Sequence, residues 1–170
     1  MTATQEELEQ VYKVNTISQY YTLQAFLPAM IADHKGHIVS IASLASFISG
    51  ADLHSYSGSK AALVALHEGL AQDLRVNHNA PEIKLTIVHP TFAETPIITA
   101  YRDRIVQSGS LILDPKIVSD AVVKQILSGR GKQLIIAPDS GFIRSFRGWP
   151  RWAQQLLFRV LDARIRNAAV

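Results

Sequence analysis

Apolar residues recur at helical spacing from Thr4 to about Ala32, and Thr4 with Glu7 three positions later has the form of a capping box that starts such a helix. Pro28 falls inside this stretch and predicts a bend. The pattern then changes. HIVSIA, His37 to Ala42, is rich in β-branched residues, opens after Gly36 and closes on small residues, which predicts a buried strand. SLASFISGADLHS reads as loop. From about Ser55 to Val76 the helical period returns, with Ala61, Leu63, Ala65, Leu66, Leu70 and Leu74 at its apolar positions. KLTIV, Lys84 to Val88, predicts a second strand, which the breaker His89-Pro90 ends. A proline-containing loop runs to about Tyr101. Asp114-Pro115 opens a helix through Leu127, Gly129 and Gly131 turn the chain, QLIIA at 133–137 predicts a third strand, and a last helix begins near Pro150.

Helices alternating with strands, each helix long enough for a crossover, predict parallel pairing and an α/β layered fold. About three strands make a small sheet whose faces and edges need covering. The pattern therefore reads as the later half of something larger.

Composition agrees with a globular core: of 170 residues, 48% are hydrophobic and 18% charged. There is no cysteine, so neither a disulfide nor a thiolate metal site is available. His34 and His37 are divided by a helix end and a strand start, no carboxylate completes a ligand set, and no metal is expected. MTATQEELEQVY lacks the basic start and apolar run of a signal peptide. No apolar stretch reaches the ~18–20 residues that cross a bilayer. The expected location is intracellular, either cytoplasmic or peripheral on an internal membrane.

The formal net charge of +3 conceals an asymmetry, because six Arg face the single Asp162 after Gly141. Wound as a helix, residues 149–170 place Arg151, Gln155, Arg159, Asp162 and Arg166 on one arc and Trp152, Leu156, Leu157, Phe158, Val160, Leu161 and Ile165 on the rest. This basic amphipathic segment suits the surface of an anionic membrane, or packing on the domain's own sheet or a partner subunit; no nucleic-acid partner is expected.

Tyr56 and Lys60, four apart in SYSGSK at the mouth of the second long helix, project from one helix face about one turn apart. An ammonium beside a phenol favours the ionised form of a group whose ordinary pKa is about 10. Such a phenol exchanges a proton with an alcohol or carbonyl oxygen near neutral pH. On spacing alone an ordinary surface Tyr-Lys pair is the better reading. Ser43 changes the balance: it follows the first strand, where strand ends of α/β folds present functional side chains, and its hydroxyl can bond the oxygen that Tyr56 protonates.

These residues resemble the later half of the short-chain dehydrogenase/reductase family, over nearly the whole chain. VNT at Val14 to Thr16, HIVSIAS, YSGSK and HPTFAETP at 89–96 carry the likeness, and IVSIASLASF, HSYSGSKAALVALHEGL and IVHPTFAETP are especially similar to its retinol and hydroxysteroid branch. The resemblance implies a partial Rossmann-like, doubly wound parallel sheet with flanking helices, lacking the N-terminal cofactor-binding half. It implies that Tyr56 is the general acid/base, that Lys60 lowers its pKa and holds the nicotinamide ribose, and that Ser43 steadies the substrate oxygen. The distance from Ser43 to Tyr56 matches the family's spacing and selects Ser43 over Ser40 and Ser46. Asn15 matches the asparagine that holds a proton-relay water. NAD or NADP is the implied cofactor, met by Tyr56, Lys60, Pro90, Phe92, Ala93 and Thr95. Where the family has Pro-Gly this chain has Pro90-Thr91, and since Gly admits a close backbone approach, Thr91 is expected to shift that loop.

A turn of the form G-x-x-x-G-x-G after a strand is missing, and Gly129-Arg130-Gly131, which precedes a strand, reads as a simple αβ turn. In this fold class dinucleotide phosphates sit on the first strand-to-helix turn. The chain is therefore expected to be a fragment, a truncated product or one part of a split protein, or else to work without the usual cofactor. Two functions stay open. One is an NAD(P)-dependent oxidoreductase interconverting a lipophilic alcohol and carbonyl, assembled as a homo-oligomer through the helices at 5–32 and 55–76. The other is a catalytically silent interaction protein that pairs with a full-length relative. The expected units are 1–148, the catalytic half, and 149–170, the amphipathic basic helix.

Overall fold

The computed structural model describes residues 3–51, 53–107, 109–137 and 141–167, with the side chains of Ala100 and of residues 161–167 outside that description. Helix α1 (Gln5–Tyr12) starts as Thr4 and Glu7 predict: the Glu7 N–H donates to Thr4 Oγ1 at 3.2 Å, and the Thr4 N–H to the Glu7 carboxylate at 2.9 Å. The helix does not run unbroken to Ala32. Residues Lys13–Ile17 form a π turn before α2 (Ser18–Ala32), while Pro28 lies inside α2. On this turn the Asn15 amide donates to Ser59 Oγ at 3.0 Å and Thr16 Oγ1 to the Ser59 carbonyl at 3.0 Å. The inserted residue of a π turn thus aims both side chains at a neighbouring helix.

The chain continues through β1 (His37–Ile41), a 3₁₀ turn at Leu44–Ser46, α3 (His54–Val76), β2 (Lys84–Pro90), β3 (Phe92–Ala93), α4 (Arg102–Gln107), β4 (Ile112–Leu113), α5 (Pro115–Leu127), β5 (Lys132–Ile136) and α6 (Arg151–Asn167). Strands β1, β2 and β5 make a parallel sheet in that order, with His37 beside Lys84 and Thr86 beside Lys132. Strand β2 does not stop before His89-Pro90. Pro90 is its last residue, beside Ile136, and the Thr91 N–H then reaches the Ile136 carbonyl at 3.0 Å, so the missing proline donor falls at the strand's terminus, where it disturbs the ladder least. The segment read as loop to Tyr101 contains β3, which pairs in parallel with β4, and a 3₁₀ stretch at Pro96–Tyr101 that leads into α4.

Register decides which side chains meet the helices. Ile38 and Leu85 are partners, and they pack with Leu23, Leu27, Met30 and Ile31 of α2 against buried Leu70, Leu74, Ala80 and Ile83. A second cluster, Ala42, Leu63 and Ile87, lies nearer the strand ends. Full burial of a leucine contributes about 1.5–3 kcal/mol, so these clusters fix α3, and the residues at its start, against the end of β1. Gly58 lets α1 and α3 approach: a Cβ there would stand 2.5 Å from the Tyr12 hydroxyl. Gly131 allows β5 to start beside β2, since a Cβ would stand 2.5 Å from the Leu85 carbonyl oxygen.

After β5, a 3₁₀ stretch at Gly141–Gly148 buries Phe146, whose ring meets Phe158 of α6 edge-on at 5.4 Å between centroids. Among the described residues, no helix is long and apolar enough to cross a membrane, and no strand pairs with the outer edge of β1.

Candidate active site

Ser43 leaves β1 in extended conformation and caps the 3₁₀ turn that follows. Its Oγ accepts from the Ala45 N–H at 3.2 Å, and its carbonyl accepts from the Ser46 N–H at 3.0 Å and the Ser46 hydroxyl at 2.6 Å. The turn is held from outside as well. His89, fully buried on β2, donates from Nδ1 to the same Ser43 carbonyl at 3.1 Å, and Arg147 donates to the Ser46 carbonyl at 2.8 Å.

Tyr56 and Lys60 lie in the first two turns of α3. The Lys60 ammonium stands 5.8 Å from the centroid of the Tyr56 ring and donates to the Ile41 carbonyl at 2.9 Å, which joins α3 to the last residue of β1. Burial pushes the Lys60 pKa below its ordinary value, because desolvation penalises the cation. Asn15 reaches the same place indirectly: its partner Ser59 donates to the Tyr56 carbonyl at 2.7 Å. The Tyr56 hydroxyl forms no hydrogen bond among the described residues.

The structure therefore links Asn15 to Tyr56 through Ser59, ties Lys60 to the end of β1, and puts Ser43 two residues beyond that tie. Among the described residues, no hydrogen bond joins Ser43 directly to Tyr56. Pro90, Phe92, Ala93 and Thr95 follow at the end of β2, which runs parallel to β1, so this loop lies at the same end of the sheet as Ser43. Phe92 and Ala93 pair with Ile112 and Leu113, and Thr95 Oγ1 donates to the Ala93 carbonyl at 3.3 Å. The sequence assigns no role to Ser59, although it stands inside YSGSK, or to His89, which opens HPTFAETP and marks a strand break.

The chain belongs to the short chain dehydrogenase family, whose model matches residues 1–105, a stretch that includes β1, α3 and β2. Dehydrogenase RED2 of Cochliobolus heterostrophus is 50% identical over 82 residues, which is 48% of this chain and 31% of that protein. Human estradiol 17-beta-dehydrogenase 11 is 32% identical over 141 residues, covering 81% of this chain and 44% of that protein. The chain spans less than half the length of either relative. Among solved structures, a short chain dehydrogenase from Burkholderia cenocepacia in complex with NADP matches with a TM-score of 0.73 and 19% identity, over 91% of this chain and 60% of that one. That likeness establishes the α/β fold, a three-stranded parallel sheet with flanking helices.

Proposed function

We propose that this chain carries the proton-transfer half of an NAD(P)-dependent oxidoreductase that interconverts a lipophilic alcohol and its carbonyl compound. The observation that carries this reading is the Tyr56 hydroxyl, free of protein partners among the described residues, beside a half-buried Lys60 that is pinned to the end of β1. The donor set fits the nicotinamide end of a dinucleotide: beyond its bond to Ile41 the Lys60 ammonium retains two N–H groups for ribose hydroxyls. Pro90, Phe92, Ala93 and Thr95 form the loop that would border the nicotinamide, and the glycine-rich turn for the phosphates is absent from this sequence.

When bound, the dinucleotide supplies or accepts the hydride. The protein's task is the proton. In the oxidation direction Ser43 Oγ positions the alcohol oxygen and Tyr56 takes its proton; in reduction Tyr56 returns one to the carbonyl oxygen. Lys60 faces the ring on which negative charge develops, in a site sheltered enough to strengthen that attraction. Asn15 and Ser59 hold the first turn of α3 in place and lie where protons could be relayed. Exposed Ile97, Tyr101, Val106 and Leu111, beyond Thr95, offer an apolar border for the substrate.

Tyr56→Phe tests this reading in the chain fused behind the amino-terminal half of a family member. Turnover is expected to fall by about 10²–10⁴ with the circular dichroism unchanged; wild-type turnover in the variant, with chemistry limiting, refutes the catalytic role. It also separates the second reading, a silent protein pairing with a full-length relative. That reading rests on exposed Val14, Ile17, Tyr20 and Tyr21 of the π turn and α2, and predicts no effect of Tyr56.

We also propose that α6 rests on an anionic membrane. Trp152, Leu156 and Val160 form one exposed stripe at four-residue spacing, near exposed Arg151 and Arg159, while Leu157 and Phe158 are half-buried. Leu161, Asp162, Ile165 and Arg166, which the sequence also places on this helix, have side chains outside the described residues. Leu156→Glu is expected to release the chain from anionic vesicles in co-sedimentation, and unchanged recovery rejects the membrane contact.

A further inference from the structure

The bonds around Ser43 divide into two kinds. Those from Ala45 and Ser46 belong to the turn itself and travel with it, whereas the bond from His89 crosses from β2 to the end of β1. We propose that His89 is a positioning residue for Ser43, tethering the Ser43 carbonyl to β2 through Nδ1–H while Gln133 of β5 holds the other ring nitrogen. The inference rests on the reading of Ser43 given above.

The tautomer follows from the partners. A carbonyl only accepts, so Nδ1, 3.1 Å from the Ser43 oxygen, must carry the proton. Nε2 then presents a lone pair, and the Gln133 amide nitrogen, 3.2 Å away, donates to it. Both contacts demand the same form, so the imidazole is fixed at both ends. Phe47 covers the ring, with centroids 4.5 Å apart, and His89 is wholly buried. Burial lowers its pKa, against a smaller upward pull from the Ser43 carbonyl, which keeps the ring neutral and the donor and acceptor distinct.

The turn also packs against α3, and the His89 tether is the hydrogen bond that joins Ser43 itself to β2. The Ala42 N–H is bonded to the Val88 carbonyl at 2.8 Å, the last ladder bond before Ser43. Beyond it the turn is joined to β2 by His89. Arg147 holds the far end of the turn through Ser46, not Ser43 itself. Losing the His89 donor leaves the part-buried carbonyl with only the donors of its own turn, and frees the serine to tilt about the Ala42 bond.

Two substitutions separate tethering from packing. His89→Phe keeps a ring against Phe47 and removes the donor; His89→Asn loses the ring and keeps an N–H that can reach Ser43. In the full chain, amide hydrogen exchange at Ser46 is expected to quicken roughly three- to tenfold in the Phe variant and to stay near wild type in the Asn variant, with the Leu85 amide as a control for global opening. Long-range ¹⁵N spectra of the wild type should show a protonated Nδ1 and an unprotonated Nε2. A protonated Nε2 with bare Nδ1, or an Asn variant loosened as much as the Phe variant, overturns the proposal. Turnover, measured in the fused chain, should fall in the Phe variant with the dinucleotide KM unchanged, recover in the Asn variant, and show no His89 effect in a Ser43→Ala background. If Ser43→Ala leaves turnover at wild type while exchange follows the expected pattern, the tether stands and the catalytic reading of Ser43 fails.

Discussion

The two long edges of β1 are built to different degrees. On the β2 side every residue of β1 has a register partner, and at the strand's end Lys60, His89 and Ala42 fix backbone positions within 3.1 Å contacts. On the outer side no strand pairs among the described residues, and β1 borders an open trough that it shares with α2 and α3, lined by Gln19, Thr22, Phe26, His37, Leu66 and His67, with the Phe26 ring exposed. The lesson is that short bonds between neighbouring elements are enough to fix the backbone on which the proposed proton donor, Tyr56, stands. Gripping a whole dinucleotide takes a glycine-rich turn that this sequence does not contain.

The sharpest break in that contrast comes from Lys60→Met. Turnover in the fused chain is expected to fall by about 10²-fold, the scale of losing one preorganised electrostatic group. Stability should hold or rise, because the substitution removes a desolvated cation. Thermal unfolding beside kinetics checks both halves of the claim. Calorimetry of the unfused chain should show NAD(H) and NADP(H) binding weaker than micromolar, and micromolar affinity would show that the grip does not need a glycine-rich turn.

Smaller effects test how the sheet and helices hold the corner. Gly131→Ala forces a Cβ onto the Leu85 backbone, which cannot swing away, and is expected to cost roughly 1–3 kcal/mol of unfolding free energy. Gly58→Ala should cost less, since its clash is with the movable Tyr12 hydroxyl. Acidification affects the interior most gently. Burial lowers the pKa values of His37, His67 and His89, with Lys84 adding to the first and His89 to the second. The unfolded chain therefore binds more protons than the folded one once pH drops below about 6.5. Stability is full above that value and declines as pH falls through it toward the lowered folded-state pKa values, as urea midpoints across that range should show.

Much of this was legible in the sequence because it depends on period and spacing. The apolar run before Ser43 gave β1, the helical period after Ser55 gave α3, and Asp114-Pro115 marked the start of α5, whose Asp114 carboxylate accepts from the Lys116 N–H at 2.8 Å. What escaped has no period. A π turn at Lys13–Ile17 leaves the apolar spacing of a helix almost unchanged, and two-residue strands such as β3 and β4 are too short to alternate. His89-Pro90 signals a break locally, while the ladder to β5, a tertiary contact, carries β2 through it. Arg147 and Ser46 lie 101 positions apart, and nothing in either neighbourhood announces their bond.

The central claim is that this chain itself holds the proton-transferring group, and single-turnover deuterium transfer tests it most directly. The fused chain, loaded with dinucleotide deuterated at the transferring carbon and mixed with a lipophilic ketone, should place deuterium on the former carbonyl carbon. Tyr56→Phe should slow that transfer by at least about 10²-fold while binding the dinucleotide as before. Equal rates of labelling by the two proteins would contradict the account.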